Sequence, residues 1–288
     1  MKNLKYYLNK AREKKFAIGQ FNFSDFSQVK GIINKCAQLK SPVILGTSEG
    51  ESKFFGLEEA VAIRDVLRKK FALPIFLNLD HGKSFDYLKQ AIDAGYDMVH
   101  FDGSKLPLEE NIKITKEVVK YAKKKGVVVE GEVGRIGTDS SQLYSDKFEI
   151  KEEDLTKPDE ALKFLKETKV DLLAISIGSF HGIEISGVCP NLRLDLLKEI
   201  KNKVGNTPFV LHGGSGTPED DVKEAIQLGV SKININTELR LAFSGNIRRA
   251  LENDKELIVP YKYLENAIKS VENLVGIKIA LFGSADKA

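Results

Sequence analysis

Cysteine is nearly absent. The chain holds two, Cys36 and Cys189, too few and too far apart for a disulfide framework or a paired metal motif, and a reducing cytoplasm is the expected compartment. Charge of one sign is also missing: 44 Lys and Arg stand against 41 Asp and Glu. A surplus of three, unclustered, is no nucleic-acid footprint, so no nucleic-acid partner is expected. No apolar run approaches the ~18 residues of a spanning helix. The start, MKNLKYYLNKAREKKF, lacks the apolar centre of a signal peptide, so no membrane role is expected either. Pro/Gly/Ser-rich linkers and blocks of like charge are lacking as well. Nothing in the composition divides the 288 residues, and a single domain over 1–288 is expected. A chain of this length can bury a large core, and its 42% hydrophobic and 30% charged residues are those of a soluble globular protein.

What is present is a repeat of pattern. Eight short apolar or β-branched runs recur: AIGQFNF (17–23), PVILGTS (42–48), PIFLNLD (74–80), MVHFDG (98–103), VVVEGEVG (127–134), LLAISIG (172–178), FVLHGG (209–214) and KININTE (232–238). Each reads as a buried parallel strand, apolar almost throughout because helices cover its outer side. Helical stretches lie between them. LEEAVAIRDVLRKKF places Leu57, Val61, Ile63, Val66 and Leu67 near helical spacing. TPEDDVKEAIQLG offers Thr217 as N-cap, Pro218 in the first turn and Gly229 as a stop. Eight strand–helix alternations predict an α/β protein with one (β/α)8 TIM barrel; a doubly wound open sheet would not need eight units. Two interruptions, RIGTDSSQLYSDKFEIKEEDLTKP after the fifth strand and SFHGIEISGVCPN after the sixth, follow strand C-terminal ends, where barrel enzymes build their sites. They are expected to be lids.

Three of the four histidines, His81, His181 and His212, stand before a glycine at a strand's end, in LDHG, SFHG and LHGG. One such histidine is ordinarily a satisfied core residue. Three in the same relative position converge on one barrel mouth and make a zinc site of the catalytic type. Carboxylates accompany them: Asp80, Asp102 and Glu132. Period-two alternation puts Asn78 with Asp80, His100 with Asp102, and Glu130 with Glu132. Carboxylates in a barrel mouth are costly unless they bind metal, pair with a cation such as lysine, or move protons. His100, inside its strand, is expected to be a core residue or to back the site from behind. The last two strands end in HGGSG (212–216) and NINT (234–237). Glycine turns offer N–H groups to an anion, and the seventh and eighth loops are the habitual phosphate site of this fold, so a phosphorylated ligand is expected.

The segments LDHG, FDGSKLPLEENI, EGEVG, HGGSG and KININT resemble the class II (metal-dependent) ketose-bisphosphate aldolases, which include fructose- and tagatose-bisphosphate aldolases. The likeness runs from the first strand to the GSADKA tail. It implies a lyase that joins or splits dihydroxyacetone phosphate and an aldehyde such as glyceraldehyde 3-phosphate, with fructose 1,6-bisphosphate as the expected ketose. Tagatose bisphosphate, a deoxy-sugar or inositol-catabolic phosphate, and a non-catalytic sugar-phosphate-binding barrel are the alternatives. The resemblance makes His81, His181 and His212 the Zn²⁺ ligands, gives Asp102 and Glu132 a second divalent position, and makes Asp80 the proton-handling acid. Ser48, Gly182, Gly213, Ser215, Asn234, Asn236 and Thr237, with Gly214 and Ile235 of the same two stretches, would hold the phosphorylated half. A monovalent cation and a homodimer or homotetramer are further expectations of the family. The chemistry agrees: Zn²⁺ stabilises the enediolate left by retro-aldol cleavage. A Schiff-base route needs a buried lysine, which LLAISIG lacks, while Lys232 is expected at the far end of the barrel.

Three departures accompany the resemblance. The family's His-Gly-x-Tyr-Lys reads His181-Gly182-Ile183-Glu184-Ile185 here, and its Asp-Pro-Arg reads Val259-Pro260-Tyr261. The lid glutamate aligns with Ser140, leaving Asp139 and Glu149 as candidate lid bases.

Overall fold

A computed structural model describes residues 2–136, 143–144, 150–184 and 190–288. Eight parallel strands close on themselves in chain order: β1 (Ile18–Asn22), β2 (Val43–Ser48), β3 (Ile75–Gly82), β4 (Met98–Phe101), β5 (Val128–Val133), β6 (Leu172–Ile175), β7 (Phe209–Leu211) and β8 (Val230–Ile235). β8 pairs with β1, Ile18 opposite Lys232 and Phe21 opposite Ile235. The expected (β/α)8 barrel is the fold. Six of the eight strands stop one or more residues short of their apolar runs, while β2 ends with its run at Ser48 and β3 continues to Gly82.

Alternation sorts the strands into two cores. Outward-facing residues such as Leu45, Leu77, Val99, Leu173 and Ile233 pack under the helices. Inward-facing Ile18, Ile44, Phe76, Met98, Val128, Leu172 and Val210 form an apolar plug that the helix Leu4–Lys14 covers with Leu4, Tyr7, Leu8 and Ala11. Two residues further along the same strands the interior turns polar, with Gln20, Asn78, His100, Glu130 and His212 all buried. Another two bring Asn22, Asp80 and Glu132, so polarity rises toward the C-terminal mouth. Gly46 of β2 leaves the room that the side chains of Asn22 and Gln20 fill; a Cβ there would stand 2.2 Å from Asn22 Oδ1.

Helix ends follow local chemistry. Asp25 and Ser48 close capping boxes on Phe26–Gln38 and Glu49–Phe55, and left-handed Gly229 ends Glu219–Leu228 as expected. Thr217 does not cap that helix. Pro218 holds the cap position, and the Thr217 hydroxyl donates to Gly213 O at 2.9 Å instead. The helix Pro260–Phe282 buries Val271, Val275, Ile279 and Phe282 and packs along Phe26–Gln38. A pairing not foreseen from the sequence joins the two interruptions: 143–144 run parallel to 183–184, Leu143 opposite Ile183. Among the described residues no helix is long and apolar enough to cross a membrane.

Candidate active and metal site

Asp80 and His81 are neighbours in β3, and in a regular strand they would face opposite sides of the sheet. The pairing of β3 with β4 slips between Leu79 and Gly82, and His81 takes a left-handed φ of 52°. This bulge turns both side chains into the mouth. The His81 N–H donates to His100 Nδ1 at 3.2 Å, which pins the bulge from β4.

Four imidazoles then meet. Ring centroids lie 4.6 Å apart for His81 and His212, 4.8 Å for His81 and His181, and 4.7 Å for His81 and His100. His81 Nδ1 donates to Asp102 Oδ2 at 3.0 Å, leaving Nε2 to face His181 Nε2 at 3.1 Å. His212 Nε2 donates to Glu130 Oε1 at 2.6 Å, leaving Nδ1 as the acceptor of Asn234 Nδ2 at 3.2 Å. A carboxylate behind an imidazole that fixes its tautomer and aims its lone pair is the usual support of a metal-binding histidine. His100 is fully buried; its Nε2 and Glu132 Oε2 stand 3.2 Å apart, and neither makes a hydrogen bond. Convergent imidazole nitrogens beside buried carboxylate oxygens form a set that fits a first-row divalent metal. Asp80, His81, His100 and His212 offer ligand atoms within 4.8 Å of one another, as do His81, Asp102 and Glu132.

The charges are interlocked. Burial works to raise the Asp80 pKa, but His81, His100, His212 and Lys232 hold it well below the usual carboxylate range. Burial would lower that of His81, yet the adjoining Asp80 charge and the Asp102 hydrogen bond raise it. Burial, then the nearby His81 and His212, push His181 well down, and burial lowers His212 against the pull of Glu130. Asp80 is held by both oxygens: Oδ1 accepts from Asn234 Nδ2 and Oδ2 from Asn22 Nδ2, each at 3.0 Å.

One cleft is lined by Asp80, His81, His181, Gly182, His212, Gly213, Ser215, Asn234, Asn236 and Thr237, most of the residues singled out from the sequence. Gly213 has a φ of 64°, and a Cβ there would meet Phe180 O at 2.2 Å. Three of the residues expected to hold the phosphorylated half are not in this cleft's lining. Ile235 points outward into the core. Gly214 turns its N–H to Asn234 O at 3.2 Å. Ser48 caps the helix Glu49–Phe55, its hydroxyl accepting from Glu51 N at 3.3 Å. Asp139 and Glu149, with Ser140 and Ile185, lie outside the described residues.

Lys232 departs from expectation. It lies within β8, fully buried, and its ammonium runs up the barrel interior to Glu130 Oε2 at 2.8 Å and Asn234 Oδ1 at 2.7 Å. It thus supports the carboxylate behind His212. The sequence reading also passed over Asn22, Glu51 and Arg240. Asn22 was within reach, since it shares the inner face of β1 with Gln20. Arg240 lies one turn beyond NINT in the helix Thr237–Asn253, and its Nη2 donates to Glu51 Oε1 at 2.6 Å.

Comparison with known proteins identifies the family. The sequence model of the family described as fructose-bisphosphate aldolase class-II matches residues 2–287. The chain is 39% identical to a 6-phospho-5-dehydro-2-deoxy-D-gluconate aldolase of Bacillus subtilis, covering 99% of this chain and 97% of that protein. It is 37% identical to a fructose-bisphosphate aldolase of Staphylococcus aureus, covering 99% and 98%. Among solved structures, the YdjI aldolase of Escherichia coli K12 superposes with a TM-score of 0.83 at 30% identity, over 100% of this chain and 99% of that one. With the barrel, the histidine cluster and a match along nearly its whole length, the chain belongs to the class-II fructose-bisphosphate aldolase family.

Proposed function

We propose that the protein is a zinc-dependent aldolase that splits fructose 1,6-bisphosphate, or a related ketose 1-phosphate, into dihydroxyacetone phosphate and an aldehyde. The observation that carries the reading is the meeting of His81, His181 and His212 beside Asp80 in one cleft that ends on the Gly213–Ser215 turn. Relatives named for fructose bisphosphate and for a deoxy-gluconate phosphate define the range of ketoses to try.

His81, His181 and His212 would hold the zinc ion, aimed by Asp102 and Glu130. Asp102 and Glu132 would serve a second divalent position. When bound, the zinc supplies Lewis-acid stabilisation to the charge that develops as the carbon–carbon bond breaks. Gly182, Gly213, Ser215, Asn234, Asn236 and Thr237 position the phosphorylated half, with backbone N–H groups turned to the phosphate. Asp80 takes the proton of the hydroxyl that becomes the aldehyde oxygen, and returns it in synthesis. Its depressed pKa keeps it ionised, the form that can accept a proton. A homodimer or homotetramer and a reducing cytoplasm belong to the same proposal.

The test is an assay for triose phosphate from fructose 1,6-bisphosphate. The zinc-loaded protein is expected to produce it, chelation to abolish it, and added Zn²⁺ to restore it. Borohydride trapping of substrate on the protein, or full activity after chelation, would overturn the proposal.

A further inference from the structure

The glycine turn after β7 is held from outside the cleft. Gly214 N donates to Asn234 O at 3.2 Å, and the Thr217 hydroxyl to Gly213 O at 2.9 Å. Two further ties run through Glu238, in the first turn of the helix Thr237–Asn253. Its Oε1 accepts from Gly216 N at 2.7 Å, and its own N–H donates to Ser215 Oγ at 3.4 Å. Ser215 lines the cleft, and a hydroxyl oxygen that accepts from the backbone keeps its proton for a ligand. Glu238 is held in turn by Lys278 of the last helix, whose Nζ donates to Oε1 at 3.0 Å and stands 2.7 Å from Oε2. Lys278 is 8% exposed and shares the buried face of Pro260–Phe282 with Val271, Val275, Ile279 and Phe282. An ammonium on an apolar face is costly unless paired, and an apolar side chain would pack there at least as well. Packing alone gives no reason for the pair.

We propose that Lys278 and Glu238 are positioning residues for phosphate binding. Lys278 fixes the Glu238 carboxylate, and Glu238 fixes Gly216 and the Ser215 hydroxyl in the arrangement that receives the phosphorylated half of the substrate. Neither side chain touches substrate; both act through the turn. The inference rests on the aldolase reading above, which seats the phosphate at this turn, and adds the route by which the C-terminal helix supports that seat.

Binding of dihydroxyacetone phosphate tests it. Lys278→Met keeps the apolar stem and removes the ammonium, and Glu238→Ala removes the carboxylate. Both single variants and their double are titrated calorimetrically with the probe in the zinc-loaded state, and zinc affinity is measured by chelator competition. Each single variant is expected to bind the probe about tenfold more weakly and zinc as tightly as wild type does. The double variant is expected to bind no more weakly than Glu238→Ala, because Lys278 acts only through Glu238. Lys278→Arg, which carries the charge to the same carboxylate, is expected to restore most of the affinity. Unchanged probe binding, an equal loss of zinc affinity, or losses that add in the double variant would overturn the proposal. If Lys278→Met does not fold, the uncharged pair Lys278→Met/Glu238→Gln carries the same test. Its glutamine accepts from Gly216 N but lacks the cation that aims it, and wild-type affinity for the probe in that variant would also end the assignment. Turnover separates the two readings. A wild type that binds the probe but cleaves no ketose phosphate removes the aldolase reading alone. Cleavage with KM unchanged in the variants removes the Lys278–Glu238 assignment alone, and a wild type that does not bind the probe removes both.

Discussion

Removing the Asp80 carboxylate separates the proton step from metal binding. Asp80→Asn keeps the contacts to Asn22 and Asn234 that its shape allows, and is expected to retain zinc while losing about 10²–10⁴-fold in kcat. Metal content by elemental analysis and turnover are measured together, and near-normal turnover would end the assigned role. The histidines make a second prediction at this scale. His181 and His212 are lowered from 6.5 and are neutral near neutral pH, whereas His81 is raised above 6.5. A raised imidazole keeps its proton to higher pH, so the metal must expel one proton from His81. Zinc affinity is then expected to fall as pH drops below the raised value, with proton release from the site as the ion binds. Chelator competition over pH, and calorimetry in two buffers, read both quantities. At this scale the site was legible where chemistry coincides with strand ends, as at Asp80, His81, His181 and His212. The Glu51–Arg240 pair was not, because its members are 189 positions apart and only barrel closure brings β2 and β8 to the same mouth.

The eight strands were legible because a parallel strand covered on both faces is apolar at nearly every position. The bulge in β3 was not, since it is a property of pairing between Leu79–Gly82 and β4, and alternation alone would have sent His81 away from Asp80. Two glycines show how the elements divide between site and scaffold. Gly213→Ala forces a side chain into left-handed backbone against Phe180 O, next to His181, and nothing flexible can yield. It is expected to cost about 1–3 kcal/mol and to lower kcat/KM by displacing the glycine turn. Gly245, within the helix Thr237–Asn253, has open space where a Cβ would go. Gly245→Ala is expected to stabilise by about 0.5–1 kcal/mol, with activity retained. Urea unfolding of both variants checks the pair; equal effects would mean that neither backbone conformation nor space decides the outcome.

At the scale of the molecule, the absence of a linker led to the expectation of one domain over 1–288, and we propose that the chain folds as one unit. The barrel's closing seam carries the argument. β1 and β8 meet only once the whole chain between them is in place, and the last helix fastens the result. Phe282 O accepts from Ala17 N at 2.9 Å, just before β1, and Asp286 N donates to Leu39 O at 2.9 Å after the helix Phe26–Gln38. Val271, Val275, Ile279 and Phe282 are buried along the way. At about 1.5–3 kcal/mol for each buried side chain, their loss approaches the ~5–15 kcal/mol by which a whole domain is stable. Ending the chain at Val259 is therefore expected to abolish cooperative unfolding and near-ultraviolet circular dichroism, although every residue of the candidate site remains. A truncated chain that still melts cooperatively with native-like signal would show that the helix Pro260–Phe282 is an appendage, and that the barrel is stable without the segment that ties its first strand to its second helix.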